Sequence, residues 1–230
     1  MAHFLWSDSE NNKKYHLANW ELVSLRQESG GLGAQSLRDF NLCLLASWIK
    51  RYHFDENKIW RKIVDYKYDL DPNIFYSNPT NCSPFWKGVI WAARAAKMGF
   101  RWVVGNGQRV KFWSDVWIGT CSLAIVFWDL FVISNEQEIT VAQALQEGEV
   151  RLTFRRNVSP ALYQRWLELT QLVNSVTLTQ EVDNPVWMFH SSGTYSIRSF
   201  YAIVNDRGVV PIHTPAVWSL CVPPRLHVFL

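Results

Sequence analysis

The stretch from Phe100 to Trp117 constrains the fold more than any other part of the sequence. Runs of apolar and basic residues flank Gly105-Asn106-Gly107, and Asn-Gly between strand-like runs is the strongest local signal for a β-hairpin. A two-residue loop would mix apolar and basic side chains on one side. A three-residue loop with a left-handed Gly107 gives one clean apolar face, which fixes a register strongly, so we favour it. That face would hold Phe100, Trp102, Val104, Val110 and Phe112.

Helical periodicity and capping residues predict most of the other elements. A second hairpin is predicted from a strand over 186–189, a turn over 190–193 and a strand from Thr194, followed by a helix near 199–204. The fold class expected is α+β and mainly helical, with amphipathic helices and two short antiparallel β-hairpins. The main helices are predicted at 37–52 after Ser36, from Asp55 to before Asp71-Pro72, from Ser83-Pro84 to about Lys97, and at 161–173 after Ser159-Pro160.

The patterning is weakest between about 120 and 150, where we place the division between two regions. Residues 1–135 would form a helical region that ends with the basic hairpin. Residues 136–230 would form a helix, hairpin and helix region. Thirteen Trp residues in a chain of 230 require extensive burial or an interface, because each aromatic side chain buries roughly 150–250 Å².

The basic residues are concentrated in the first half of the chain. Residues 1–120 contain 16 basic and 11 acidic residues, whereas the remainder contains 7 and 9, and there is no Asp or Glu from Pro72 to Ser114. Basic side chains interleaved with aromatic rings are typical of nucleic-acid grooves. The alternative interpretation is that these residues form the solvent-exposed face of an ordinary two-stranded sheet and bind no nucleic acid. The candidate nucleic-acid-binding residues are Arg101, Arg109, Lys111, Trp113, Lys87, Arg94 and Lys97.

Catalytic and metal-binding patterns are not found in the sequence. There is no Asp-Asp pair for two-metal chemistry, and the acidic group around Asp69 is read as a solvated helix end. The six His residues stand outside any nucleophile signature, and the four Cys residues form no CxxC pair. The Gly105-Asn106-Gly107 loop lacks the ending of a P-loop. We therefore expect a protein that is not an enzyme and that uses no metal or cofactor.

The sequence also lacks the long apolar run of a membrane span and the pattern of a signal peptide. The scattered cysteines fit a reduced, intracellular protein, and the nucleus is one candidate compartment. No membrane partner is expected.

Four blocks of the sequence resemble a known family. They are WELVSLRQESGGLGAQSLRDFNLCLLASWIKRY, SPFWKGVIWAA, FRWVVGNGQRVKFWSDVWIG and DNPVWMFHSSGTYSIRSFY. In this order they resemble the region downstream of the polymerase core in plant non-LTR retrotransposon reverse transcriptases. The tail WSLCVPPRLHVFL resembles the start of the reverse-transcriptase zinc-binding domain, so the second region would lead into a truncated segment of that kind.

The resemblance implies that the polymerase aspartates lie upstream of these blocks and that the zinc ligands lie downstream, so Cys221 is not assigned to a metal. We expect a non-catalytic fragment of a transposable-element protein that contacts RNA or DNA without sequence preference. The polymerase and zinc-binding segments of the parental polyprotein are further candidate partners. The alternative is a structural or protein-interaction remnant that binds no nucleic acid.

Overall fold

The computed structural model describes residues 23–25, 33–146, 148–156 and 159–206. The chain divides into two compact units, one formed by Met1–Leu44 with Phe200–Leu230 and the other by Leu45–Ser199. The resemblance to a zinc-binding segment, including Cys221, falls outside the described residues. The predicted division near residue 135 stays a prediction.

Helices dominate the described part of the chain. The helices are α1 (Leu37–Phe54), α2 (Ile59–Tyr68), α3 (Pro84–Ala96), α4 (Leu123–Val126), α5 (Trp128–Ile133), α6 (Val141–Ala144), α7 (Pro160–Val173) and α8 (Ile197–Val204). Short 3-10 turns lie at Ile74–Tyr76 and Lys97–Gly99. The strands are β1 (Phe100–Val103), β2 (Leu145–Gln146), β3 (Glu149–Val150) and β4 (Asn184–Trp187). Within the described ranges, no helix is long and apolar enough to cross a membrane.

Serine caps begin two of the predicted helices. Ser83 Oγ accepts the Trp86 N–H at 3.4 Å, and Ser159 Oγ accepts the Leu162 N–H at the same distance. In both helices proline occupies the first turn, where its missing N–H costs no hydrogen bond. These starts confirm the predictions for α3 and α7.

The second predicted helix starts later than its Asp55 cap suggested. The Asp55 N–H donates to Arg51 O at 2.9 Å, so Asp55 still closes α1. Helix α2 begins only at Ile59, with Lys58 at its N-cap and no side-chain cap. Asp55 therefore belongs to the end of α1 and does not cap α2.

Two small antiparallel sheets complete the described structure, which confirms an α+β, mainly helical fold. β1 pairs with β4, with Phe100 opposite Trp187 and Trp102 opposite Pro185. β2 pairs with β3, with Leu145 opposite Val150. The strands of the first sheet are therefore separated by about a third of the chain, whereas the second sheet is a local hairpin.

The hairpin predicted over 100–117 does not form. After the glycine loop the chain pairs with the segment before and within α6, and it contacts β1 through a hydrogen bond from Trp102 N to Val116 O at 2.7 Å, far from the predicted register. Phe112 N donates to Ile139 O at 2.9 Å, Val141 N to Val110 O at 2.9 Å, and Ala142 N to Gly107 O at 2.9 Å. The prediction considered only the nearest partner along the chain, and a distant segment takes these hydrogen bonds.

The two glycines of the loop explain this outcome. Gly107 is left-handed with φ of +69°, as predicted, but a Cβ there would lie 2.8 Å from Ala142 N. A Cβ on Gly105 would lie 2.2 Å from Glu181 O. Each glycine thus permits close backbone approach by a different segment, which is a second use of glycine besides a tight turn.

The second predicted hairpin is also corrected. Its first strand exists as β4, and the turn is present, with Gly193 N donating to His190 O at 2.9 Å. β4 pairs with β1, and Trp187 N donates to Gly193 O at 2.8 Å, but no strand follows at Thr194. The hairpin formed by β2 and β3 was not predicted.

The core of the second unit is aromatic. Phe100, Trp102, Val110 and Phe112 are buried, as the apolar face required, although Val104 is only half-buried. Trp187 packs edge-to-face on Phe100 with ring centroids 4.9 Å apart. The predicted apolar face is therefore largely buried, but the strand that pairs with β1 is β4.

In the first unit, the start of α1 contacts the end of α8. Tyr201 Oη accepts the Ser36 N–H at 3.0 Å, and its ring meets Phe40 edge-to-face at 6.1 Å. Cys43 is buried, and this burial, together with the charge of Asp39, raises the pKa of its thiol to about 12. The thiol is therefore neutral and inert at physiological pH.

Candidate nucleic-acid interface

Helix α3 carries a solvent-exposed row of basic and aromatic side chains. Lys87, Trp91 and Arg94 lie at positions i, i+4 and i+7, which places them on one face of a helix, and all three are exposed. The opposite face carries Trp86, Val89, Ile90 and Ala93, which are buried. We call Lys87, Trp91 and Arg94 the α3 stripe.

The α3 stripe is positively charged and partly pre-ordered. Helix α3 contains no acidic residue, so nothing within it neutralises the two cations. Arg94 Nη2 donates to Ser77 O at 2.9 Å and to Asn78 Oδ1 at 3.0 Å, which holds the guanidinium in place. A guanidinium has five N–H donors, so the remaining ones can reach a phosphate. Trp91 is 47% exposed, which leaves ring surface for stacking.

Lys97 directly follows α3 but is occupied within the protein. Its Nζ donates to Tyr76 Oη at 2.5 Å and lies 3.4 Å from Asp115 Oδ1. Burial raises the pKa of Asp115, and the charge of Lys97 opposes that rise. Burial, with the added effect of Asp115, also raises the pKa of Tyr76. The ammonium of Lys97 thus serves first to balance a buried carboxylate.

Asp115 ties residues 111–115 to the segment that contains Asn73 and Tyr76. Its side chain accepts hydrogen bonds from Tyr76 Oη at 2.7 Å, Asn73 Nδ2 at 3.0 Å and Lys111 N at 2.9 Å. A buried carboxylate must be compensated in this way, because an unpaired one would be costly. Its donors hold residues 111–115 against the turn that precedes α3.

Arg101 lies on the exposed side of β1. Its neighbours Phe100 and Trp102 point to the buried side, as alternation along a strand requires. Arg101 is therefore accessible, on a different element from the α3 stripe.

Two other predicted residues are engaged in the fold. Arg109 forms an ion pair with Glu56, and the hydrogen bond from Arg109 lowers the pKa of Glu56. Lys111 Nζ donates to Glu138 O at 3.0 Å. The structure does not bring these two cations onto the α3 stripe.

The surface position expected for Trp113 is wrong. The side chain is fully buried and packs edge-to-face on Phe112 at 5.1 Å and on Phe131 at 5.7 Å. The hairpin that would have exposed it does not exist, so its ring has no face for a base to stack on. Trp91 is the exposed aromatic residue that the sequence reasoning missed. Its helical spacing from Lys87 and Arg94 was the available signal.

Metal binding has no support in the described ranges, where no three His, Cys, Asp or Glu side chains lie close enough together to hold an ion. The α3 stripe can neutralise phosphates and stack on a base, which are contacts that position a strand without reading its sequence.

Comparison with known proteins finds two relatives from Arabidopsis thaliana. One, named "Putative ribonuclease H protein", is 23% identical over 248 aligned positions, which include 99% of this chain and 37% of the relative. The other, named an uncharacterized mitochondrial protein, is 28% identical over 120 positions, which include 51% of this chain and 78% of the relative. This chain therefore spans little more than a third of the first relative. No family model and no solved structure matches this chain.

Proposed function

We propose that this chain is a non-catalytic module of a retroelement-derived, reverse-transcriptase-like protein, and that it binds RNA or DNA without sequence preference. The α3 stripe is the observation that carries the proposal. The resemblance to plant non-LTR reverse transcriptases and the ribonuclease H name of one relative support the descent. We propose that this role is intracellular, with the nucleus as one candidate compartment.

The binding would be electrostatic with a stacking component. Lys87 and Arg94 are seven residues apart, so their backbones are about 10 Å apart along the helix axis. Two phosphates along one strand can contact Lys87 and Arg94, and Arg101, exposed on β1, is the candidate for a third contact. Trp91 lies between the two cations, where an unpaired base can stack on its ring.

The salt dependence of affinity tests this proposal. If about three phosphates are contacted, a plot of log affinity against log salt should have a slope of about −2 for single strands and about −2.7 for duplexes. Fluorescence anisotropy with a labelled oligonucleotide measures both affinity and slope. No binding at about 50 mM salt would overturn the proposal.

Charge reversal identifies the surface. The double variant Lys87→Glu with Arg94→Glu should lower the affinity. It should also reduce the slope of log affinity against log salt by the amount expected for about two lost phosphate contacts. Arg155→Glu with Arg156→Glu is the matched control, because both residues are exposed and the change in net charge is the same. Equal losses in the two double variants would mean that net charge, and not the α3 stripe, governs binding.

A second candidate function is protein interaction, favoured by one feature of α2. Ile59, Ile63 and Tyr66 form an exposed row at i, i+4 and i+7. Trp60, Arg61 and Val64 occupy the inward face instead. Such a row is typical of a surface that another protein segment covers, for which the polymerase and zinc-binding segments of the parental protein are the candidates.

This alternative predicts a different behaviour of the isolated chain. It should bind an apolar dye and self-associate, and Ile59→Lys with Ile63→Glu should abolish both. If nucleic acid rather than these substitutions suppresses self-association, the alternative fails.

A further inference from the structure

A cavity of about 320 Å³ opens beside the point where α3 ends and β1 begins. Its inner wall includes Phe100 and Trp102, both nearly fully buried. Its lining also includes Met98 and Ile125, which are 85% and 71% exposed. The cavity therefore runs from solvent to the aromatic core. Its volume is at the lower end of the range for small-molecule sites.

Lys97, Asp115 and Ser122 are among the polar residues that line the same cavity. Lys97 has three N–H donors, and the structure gives its Nζ two partners, Tyr76 Oη and Asp115. Asp115 lies beside it, and its carboxylate accepts hydrogen bonds from Asn73 Nδ2 and Tyr76 Oη. Ser122 is 92% buried and stands at the N-cap of α4, yet its side chain makes no cap hydrogen bond. A hydroxyl without a cap contact, on a buried residue that lines a cavity, can hydrogen-bond to a ligand.

The lining restricts the chemistry of that ligand. A purely apolar ligand would leave the Ser122 hydroxyl without a partner, which costs free energy. A bare anion would approach the Asp115 carboxylate. A flat ring with polar edges satisfies the aromatic wall and the hydroxyl together.

We propose that this cavity accepts one unstacked nucleobase of a strand that lies along α3. The inference rests on the proposed function and adds to it a site for a base. Because a paired base cannot enter, the protein should prefer single strands to duplexes. Binding would remain tolerant of sequence, since aromatic contact is available to every base.

Cys121 provides a direct probe of the cavity. Its thiol is free and exposed, and the residue lines the cavity. Cys82 is also free but does not line it. Alkylation by N-ethylmaleimide, followed by peptide mass spectrometry, measures the accessibility of both thiols in the unmodified protein. Cys82 is the internal control.

Two oligonucleotides separate base insertion from phosphate binding. One is a single strand of about ten nucleotides, and the other has the same length and phosphates but only abasic sites. At ten times its Kd, the base-containing strand should slow alkylation of Cys121 about tenfold. The abasic strand, also at ten times its own Kd, should leave Cys121 unprotected, and neither strand should protect Cys82.

The outcomes distinguish this inference from the proposed function. If both strands bind by anisotropy and protect Cys121 equally, or if neither protects it, the base site is wrong while nucleic-acid binding stands. If neither strand binds, both proposals are wrong. Thr120→Trp, an exposed substitution at the cavity, should remove the advantage of the base-containing strand. Thr194→Trp, exposed and outside the cavity, should preserve it.

Discussion

The carboxylate of Asp183 accepts the N–H of Gly107 at 2.8 Å, across 76 residues of chain. The same carboxylate accepts the N–H of Gly105 at 2.8 Å and of Arg109 at 2.9 Å. Successive N–H groups of this kind form an anion-binding concavity. The glycine loop, whose sequence raised the question of phosphate binding, thus holds a carboxylate of its own chain.

Loss of this carboxylate should destabilise the protein strongly. Asp183→Ala leaves three N–H groups without an acceptor, and since each buried unsatisfied group costs about 1–3 kcal/mol, we expect a loss of about 3–5 kcal/mol. Urea denaturation measures it, with exposed Glu181→Gln as the control. A loss below about 0.5 kcal/mol, which is normal for a surface change, would contradict the role given to Asp183.

His53 should make stability depend on pH. Burial, together with the charges of Arg109 and Arg61, lowers the pKa of His53 to about 3, and neither ring nitrogen has a hydrogen-bond partner. Between the unfolded pKa of about 6.5 and this folded value, only the unfolded state takes up the proton. The contribution of neutral His53 to the free energy of unfolding is therefore fully present above about pH 6.5 and decreases as the pH falls toward the folded pKa.

The substitution His53→Phe isolates this effect. The unfolding free energy of the natural protein should lose about 2 kcal/mol more than that of His53→Phe between pH 7 and pH 5. Urea denaturation of both proteins at both pH values gives the two losses. Subtracting one loss from the other removes the contribution of the other titrating groups, which both proteins share. Parallel pH profiles for the two proteins would show that His53 is not the responsible group.

Arg109 should act on stability rather than on nucleic-acid affinity. Its ion pair with Glu56 is partly exposed, so we expect a coupling energy of about 1 kcal/mol. A double-mutant cycle with Arg109→Met and Glu56→Gln measures this coupling. If Arg109→Met lowers affinity as much as Lys87→Met while stability is unchanged, Arg109 belongs to the binding surface after all.

Trp91 and Trp113 should respond oppositely to truncation. Trp91→Ala removes a stacking surface worth about 1–3 kcal/mol per base, so affinity for single strands should fall about tenfold or more. Trp113→Ala empties part of the core and should cost about 3–5 kcal/mol of stability. Anisotropy and urea denaturation separate the two. The assignment fails if Trp91→Ala leaves affinity unchanged.

Local signals predicted the helices well. Ser83-Pro84 and Ser159-Pro160 place α3 and α7 because a cap and a proline act within one turn. The strand pairing could not be found in this way, because β1 selects a partner more than 80 residues later. Local turn chemistry at Gly105-Asn106-Gly107 carries no information about Asp183, whose carboxylate decides the conformation of the loop.

The candidate site shows the same difference between what local sequence predicts and what depends on distant segments. Lys87 and Arg94 were predicted from a run without acids, and helix geometry places them together. Arg109 and Lys111 were assigned to the same surface through a hairpin that does not form. Arg109 pairs with the Glu56 carboxylate and Lys111 donates to the backbone carbonyl of Glu138, both from other segments, so only tertiary structure shows that these side chains are engaged.

The pairing of β1 with β4 also governs the order of folding. Closing a loop of this length costs chain entropy before any contact repays it, and such non-local pairing slows folding. During synthesis, the edge of β1 stays unpaired and Phe100 lacks its contact with Trp187 until residues 184–187 leave the ribosome. For that interval, the unpaired strand edge is available to chaperones and to unwanted association, so the protein is most vulnerable while it is being made.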